Sequence, residues 1–92
     1  MATTTLMQNQ GVTGPGNWVN INPAQSRTIQ VVITGTATVD IEVSNDGVNA
    51  IKIQTGITAS GGYVDVDPWQ YVRANVTSIA SGTVSAIMGT AK

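Results

Sequence analysis

The stretch PWQYVRANVTSIASGTVSAIM, residues 68–88, decides the predicted fold. In residues 71–77 apolar and polar side chains alternate, which is typical of a β-strand with one row on a core and the other in water. Ser81 and Gly82 form a turn pair, and the alternation then resumes over residues 84–88. Two alternating runs joined by a break that contains glycine predict an antiparallel hairpin.

The rest of the chain repeats this pattern. Turn signals fall about every 8–12 residues, as in β-sandwiches, and no window shows helical periodicity. The further alternating runs are residues 17–22, 27–34, 36–44, 50–55 and 63–67. The sequence therefore predicts an all-β fold, a small antiparallel β-sandwich or jelly-roll-like domain of about seven to eight short strands.

The parity of each run predicts which side chains face the core. In residues 36–44, Val39 and Ile41 are predicted to face inwards, while Asp40 and Glu42 share the opposite, solvated face. Two neighbouring carboxylates on one strand do not flank a scissile bond, so they do not predict a catalytic pair. The further predicted inward residues include Ala37, Val43, Ile51, Ile53, Val64, Val66, Val72, Ala74, Val76, Val84, Ala86 and Met88.

Residues 1–16 are predicted to be a polar N-terminal arm and loop, and residues 17–92 a single β-sandwich domain. The first segment is polar and ends in GVTGPG, where glycine and proline interrupt regular structure. One interpretation is a disordered terminus. The other is an arm that orders on a neighbouring subunit, with Leu6 and Met7 as its apolar anchors.

The composition excludes several classes of function. The chain of 92 residues has no cysteine and no histidine, which removes the usual nucleophile, general base and metal ligands. Four cationic and five anionic residues give a net charge of −1, without the basic patch that nucleic-acid binding requires. No apolar run is long enough for a membrane span. We therefore expect no enzyme activity, no cofactor or metal site, and neither nucleic acid nor membrane as a partner.

The aromatic residues and one arginine are the candidates for an interface. Trp18, Trp69 and Tyr71 are compatible with core packing, with a protein interface or with a carbohydrate platform. Arg73 shares a face with Tyr71 by parity. Three settings are open for its side chain there: stacking on an aromatic ring, pairing with a carboxylate such as Asp65 or Asp67, or exposure to solvent. The segment SNDG, residues 44–47, predicts a turn rather than a calcium loop.

Two segments carry a family resemblance. GTATVDIEVSNDG at residues 35–47 and PWQYVRANVTSIASGTV at residues 68–84 resemble small β-sandwich virion proteins of tailed bacteriophages, a group that includes capsid decoration or cement proteins. The resemblance spans roughly residues 17 to 88.

The resemblance implies a non-enzymatic structural protein at the capsid surface of the virion. It implies a homotrimer that binds the major capsid protein and holds neighbouring coat subunits together. The alternative is a carbohydrate-binding or adhesion module associated with a phage tail or fibre, which would use Trp18, Trp69 or Tyr71.

Overall fold

The computed structural model describes residues 2–20, 27–65 and 69–90. All of its regular structure is β, so the all-β prediction is confirmed for the described residues. The strands are β1 (Ala2–Gln10), β2 (Gly14–Pro15), β3 (Val19–Asn20), β4 (Arg27–Ser44), β5 (Ile51–Ile57), β6 (Gly61–Asp65) and β7 (Tyr71–Thr90). They form one antiparallel sheet in the order β1-β7-β4-β5, with β2 and β3 also paired to β7, and β6 to β4.

Strands β4 and β7 are the centre of this sheet. They lie side by side over their whole length, from the pair Arg27 and Thr90 to the pair Ser44 and Tyr71. Both are far longer than the 5–6 residues of a typical strand, at 18 and 20 residues. Every other strand pairs with one of these two.

Both long strands bend at the same level. Gly35 and Gly82 are register partners, and both have positive φ angles, 82° and 80°. A Cβ atom at position 82 would collide with the carbonyl oxygen of Thr34, so only glycine fits there. Register shifts directly after the bend, between Thr36 and Val39, mark β-bulges, which increase local twist and bending.

The bend divides the sheet into two halves. The first half contains β1, β6 and residues 27–34 and 83–90 of the long strands; the second contains β2, β3, β5 and residues 36–44 and 71–79. The inner faces of both halves contribute to one buried apolar cluster, which makes the fold sandwich-like. Its members are Leu6, Met7, Ile29, Val31, Ala37, Val39, Ile41, Val43, Ile57, Val72, Ala74, Val76, Val84, Ala86 and Met88.

The predicted C-terminal hairpin is wrong. Residues 71–90 form one continuous strand, and residues 27–44 form another where two short strands were predicted. Both wrong predictions have the same cause: a glycine with positive φ is compatible with a bend or bulge within a strand as well as with a chain reversal. Here Gly35 and Gly82 lie opposite each other and bend the sheet without ending either strand.

The interpretation of residues 1–16 as an arm outside the sheet is also corrected. Residues 2–10 form β1, an edge strand paired with the C-terminal part of β7. Leu6 and Met7 are both buried in the chain's own core, because a bulge between Thr5 and Met7 lets two successive side chains face the same way. They are therefore core residues rather than exposed anchors for a neighbour.

Three further predictions of orientation are changed or fall outside the described residues. Ile51 and Val64 are exposed, by 51% and 72%, although both were predicted to face inwards. In β6 it is Tyr63, the register partner of buried Ile29, that packs on the core, so the parity is shifted by one residue. Ile53 does pack against the core. Val66 and residues 21–22 lie outside the described residues.

Candidate functional site

The charged residues of the second half gather on the outer face of its sheet. Asp40 and Glu42 project from β4 on the side away from the apolar core, and their register partners on β7 are Asn75 and Arg73. On the other side of β4, Lys52 of β5 is a register partner of Glu42. We call these five residues the charge cluster.

Glu42 is the centre of the charge cluster. Its Oε1 accepts a hydrogen bond from Arg73 Nε at 2.7 Å, and its Oε2 accepts one from Asn75 Nδ2 at 2.8 Å. Lys52 Nζ lies 3.9 Å from Oε2. Both carboxylate oxygens thus have donors, which is the condition under which a buried charge is tolerated.

Asp40 forms the second ion pair of the cluster. Its Oδ2 accepts a hydrogen bond from Lys52 Nζ at 2.5 Å, and its Oδ1 accepts one from the backbone N–H of Gly56 at 3.0 Å. The hydrogen bond to Asp40 raises the pKa of Lys52, which desolvation only partly opposes. Lys52 therefore stays protonated throughout the neutral range.

The prediction that Asp40 and Glu42 lie on one face is confirmed, but the prediction that this face is solvated is wrong. Only 5% of Asp40 and 2% of Glu42 are exposed. Side chains from both neighbouring strands cover them, because β4 is central in the sheet and its partners carry Lys52 and Arg73. Breaking such a buried pair by removing one partner typically costs about 3–5 kcal/mol.

Trp18 and Tyr71 extend the cluster at its edge. The Arg73 guanidinium carbon lies 4.1 Å from the centroid of the Trp18 ring, in cation–π contact. The Tyr71 ring meets Trp18 in an edge arrangement, with centroids 6.4 Å apart and an interplanar angle of 62°. Of the three settings considered for Arg73, the structure combines two, an aromatic partner and a carboxylate, and the carboxylate is Glu42.

This geometry does not favour a carbohydrate platform. The Trp18 and Tyr71 rings are far from coplanar, and Arg73 covers a face of the indole. Trp69 is partly buried against the core, and its Nε1 is shielded from solvent without an acceptor among the described residues. The side chains of Asp65 and Asp67, considered as partners of Arg73, lie outside the described part of the structure.

The loop after β4 is ordered by a network around Asp46. Its Oδ1 accepts hydrogen bonds from the Ser44 hydroxyl at 2.7 Å and from the backbone N–H groups of Val48 and Asn49, both at 2.8 Å. The Ser44 hydroxyl, followed by these N–H groups, holds the pKa of Asp46 well below its usual range. The predicted turn is confirmed: this loop connects the antiparallel strands β4 and β5. It leaves Val48 77% exposed at its tip.

Sequence reasoning missed two members of the charge cluster, Lys52 and Asn75. Both lie far from their partners along the chain, so only the strand register reveals the contacts. The side-chain amide of Asn75 donates its hydrogen bond to Glu42, a residue 33 positions away along the chain.

The arrangement is an ionic network in which all four carboxylate oxygens of Asp40 and Glu42 accept a hydrogen bond. Within residues 2–20, 27–65 and 69–90, no three acidic, histidine or cysteine side chains come together as they would to hold a metal ion. The same residues include no helix of the length and apolarity needed to cross a membrane.

The fold and the charge cluster define a small all-β, sandwich-like module with an ion-paired outer face. No protein-family model matches the chain. A search of curated proteins found no match either. The resemblance to phage virion proteins therefore stays a prediction that rests on its sequence segments.

Proposed function

We propose that this chain is a structural protein of a bacteriophage virion, a capsid decoration or cement protein that binds the outer surface of the assembled coat. One observation carries the proposal: the described charged side chains are used within the chain. Asp40 and Glu42 pair with Lys52 and Arg73, and Asp46 binds its own loop. Arg27 is buried. This use of the described charges within the chain suits a molecule that acts through the shape of its surface.

The loop between β4 and β5 is suited to contact a rigid partner. The Asp46 network fixes its backbone, and the exposed Val48 projects from it. A loop that is ordered before binding loses little conformational entropy when it binds. In this proposal Val48 inserts between coat subunits, and the major capsid protein is the partner.

Binding to the assembled coat also stabilises both partners. A ligand that binds only the folded or assembled form shifts the equilibrium towards that form by mass action. A decoration protein of this kind therefore raises the temperature at which the shell comes apart. It needs no catalytic turnover to do so.

The test uses purified virions and shells of the phage that encodes the chain. We expect the chain to be present on virions in a fixed ratio to coat protein, and to raise the dissociation temperature of shells that lack it. The variant V48D should occupy shells at least tenfold more weakly. T58D, a substitution at an exposed position in another loop, is the matched control. Absence from virions, or saturable binding to a glycan array without binding to shells, would overturn the proposal.

A further inference from the structure

The outer face of the first half differs from the charge cluster, because its described side chains carry no charge. Two adjacent rows of register partners cross its four strands β1, β7, β4 and β6. The first row is Thr3, Gly89, Thr28 and Val64. The second row is Thr5, Ile87, Gln30 and Gly62. These eight residues are called the uncharged face below.

Two aliphatic side chains project from the uncharged face. Val64 is 72% exposed and Ile87 is 38% exposed. Directly opposite residues in a sheet share a face, so these two stand among threonine, glutamine and glycine. A charged partner surface would lose its hydration here without gaining a counter-charge. The face therefore suits an occupant that is itself uncharged.

The positions of the glycines make the uncharged face complementary to itself. Gly62 lies two residues from Val64 on β6, and a Cβ there would have no atom within 4 Å, so Val64 has a depression beside it in the next row. Gly89, which has no side chain, lies two residues from Ile87 on β7. Consider a two-fold axis that lies in the plane between two copies, perpendicular to the strands and midway between the two rows. This axis places the first row of one copy opposite the second row of the other. Val64 then meets Gly62 of the partner subunit, and Ile87 meets Gly89 of the partner subunit.

The same operation pairs the polar residues. Thr3 meets Thr5 of the partner subunit, and Thr28 meets Gln30 of the partner subunit. Hydroxyl and amide groups both donate and accept hydrogen bonds, so these contacts need no charge. A two-fold contact uses the same surface on both copies, which is the condition that this face fulfils.

We infer that two copies of this chain pair through the uncharged face, about a two-fold axis perpendicular to its strands. Four strands about 4.8 Å apart and two rows about 6.7 Å apart give roughly 260 Å² in projection. A standard interface buries about 800 Å² on each partner. The pairing is therefore weak, and it differs from the closed trimer that the sequence resemblance implies.

The test uses the purified chain alone, so it does not depend on the coat protein. Sedimentation equilibrium from micromolar to millimolar concentration should give a mass that rises from one chain towards two. G62V fills the depression, and it is tolerated within the chain because a Cβ at Gly62 has no atom within 4 Å and the backbone there has no positive φ. V64K places a charge on the same face.

Both face variants should weaken association at least tenfold. The controls G11V and V12K make the same changes at exposed positions outside the face, and they should associate as the native chain does. Circular dichroism checks that all four variants are folded.

Three outcomes would overturn the inference. They are a native chain that stays single at every concentration, face variants that associate as the native chain does, and a three-chain mass that the face variants do not change. A single native chain whose V64K variant loses only shell binding would assign the face to the coat instead.

Discussion

The two outer faces of this sheet are built on the same strands, β4 and β7, yet one contains buried ion pairs and the other is exposed and uncharged. The face of the second half carries Asp40 and Glu42 and covers them with cationic partners. The uncharged face of the first half carries threonine, glycine and exposed aliphatic side chains. In the first arrangement the cationic partners compensate carboxylates that folding buries. The second has no such internal role, which leaves it available for contact with another molecule.

The largest expected effect comes from removing the bend that separates the two faces. G82V should unfold the chain, at a cost above about 4 kcal/mol, because the added Cβ meets the Thr34 carbonyl and the positive φ disfavours any side chain. Urea unfolding followed by circular dichroism measures this. The control G62A, at an open position, should change the stability little. A folded G82V of native stability would show that the bend does not need its glycine.

The next largest effect is expected from removing the ion pair between Glu42 and Arg73 in the charge cluster. R73M should destabilise the chain by about 3–5 kcal/mol, because it leaves Glu42 buried with its main ion-pair partner removed. The double variant E42M/R73M should recover most of this loss, since two apolar residues replace both charges. Urea unfolding of the single and double variants measures the difference. Equal stability of the two variants would contradict the pairing.

A smaller effect depends on pH. The folded state lowers the pKa of Asp46, so the unfolded chain binds the proton more tightly and the stabilisation is present at neutral pH. It is lost progressively as the pH falls below about 4, the ordinary pKa of an aspartate. D46N should therefore unfold at lower urea than the native chain at pH 7, and the gap should narrow from pH 4 to pH 2.5.

The control for this prediction is K52M, because the contribution of Lys52 to stability changes at alkaline rather than acidic pH. The pKa of Lys52 is raised in the folded state, so its contribution is present below the ordinary lysine pKa and is lost as the pH rises through the raised value. The gap between K52M and the native chain should narrow in strong alkali. A gap for D46N that stays constant between pH 7 and pH 2.5 would contradict the role of its carboxylate.

The smallest effect on stability is expected from a substitution on the uncharged face. V64K should change the free energy of unfolding by no more than about 0.5 kcal/mol, because Val64 is largely exposed and its side chain is not part of the core. V48K, at a similarly exposed loop position, provides the reference. Thermal unfolding of dilute protein, where copies do not meet, is the measurement. A large loss in V64K would mean that folding itself requires this face to be uncharged.

The sequence predicted the core of the long strands correctly because alternation is a local signal. Val39, Ile41, Val72 and Val84 are buried as their parity required. The bend was missed because the local signal of a positive-φ glycine is the same for a turn and for a bulge, as Gly82 demonstrates. What distinguishes them is the partner strand, which local patterning does not reveal.

The candidate site was harder to predict than the core. Asp40 and Glu42 look like any solvated polar row, and their burial depends on Lys52 and Arg73 reaching them from neighbouring strands. Strand β1 was missed because a run of threonines on an edge lacks the apolar row that marks an inner strand.

The central position of β7 has a consequence for how the chain folds. This last strand pairs with β1, β2, β3 and β4, and it joins Ala2 to Thr90 across almost the whole chain. Such non-local pairing slows folding, because a long loop must close before its contacts form. On the ribosome, β1 to β3 have to wait for β7 to emerge. Premature termination within β7 should therefore yield an aggregation-prone product rather than a smaller domain.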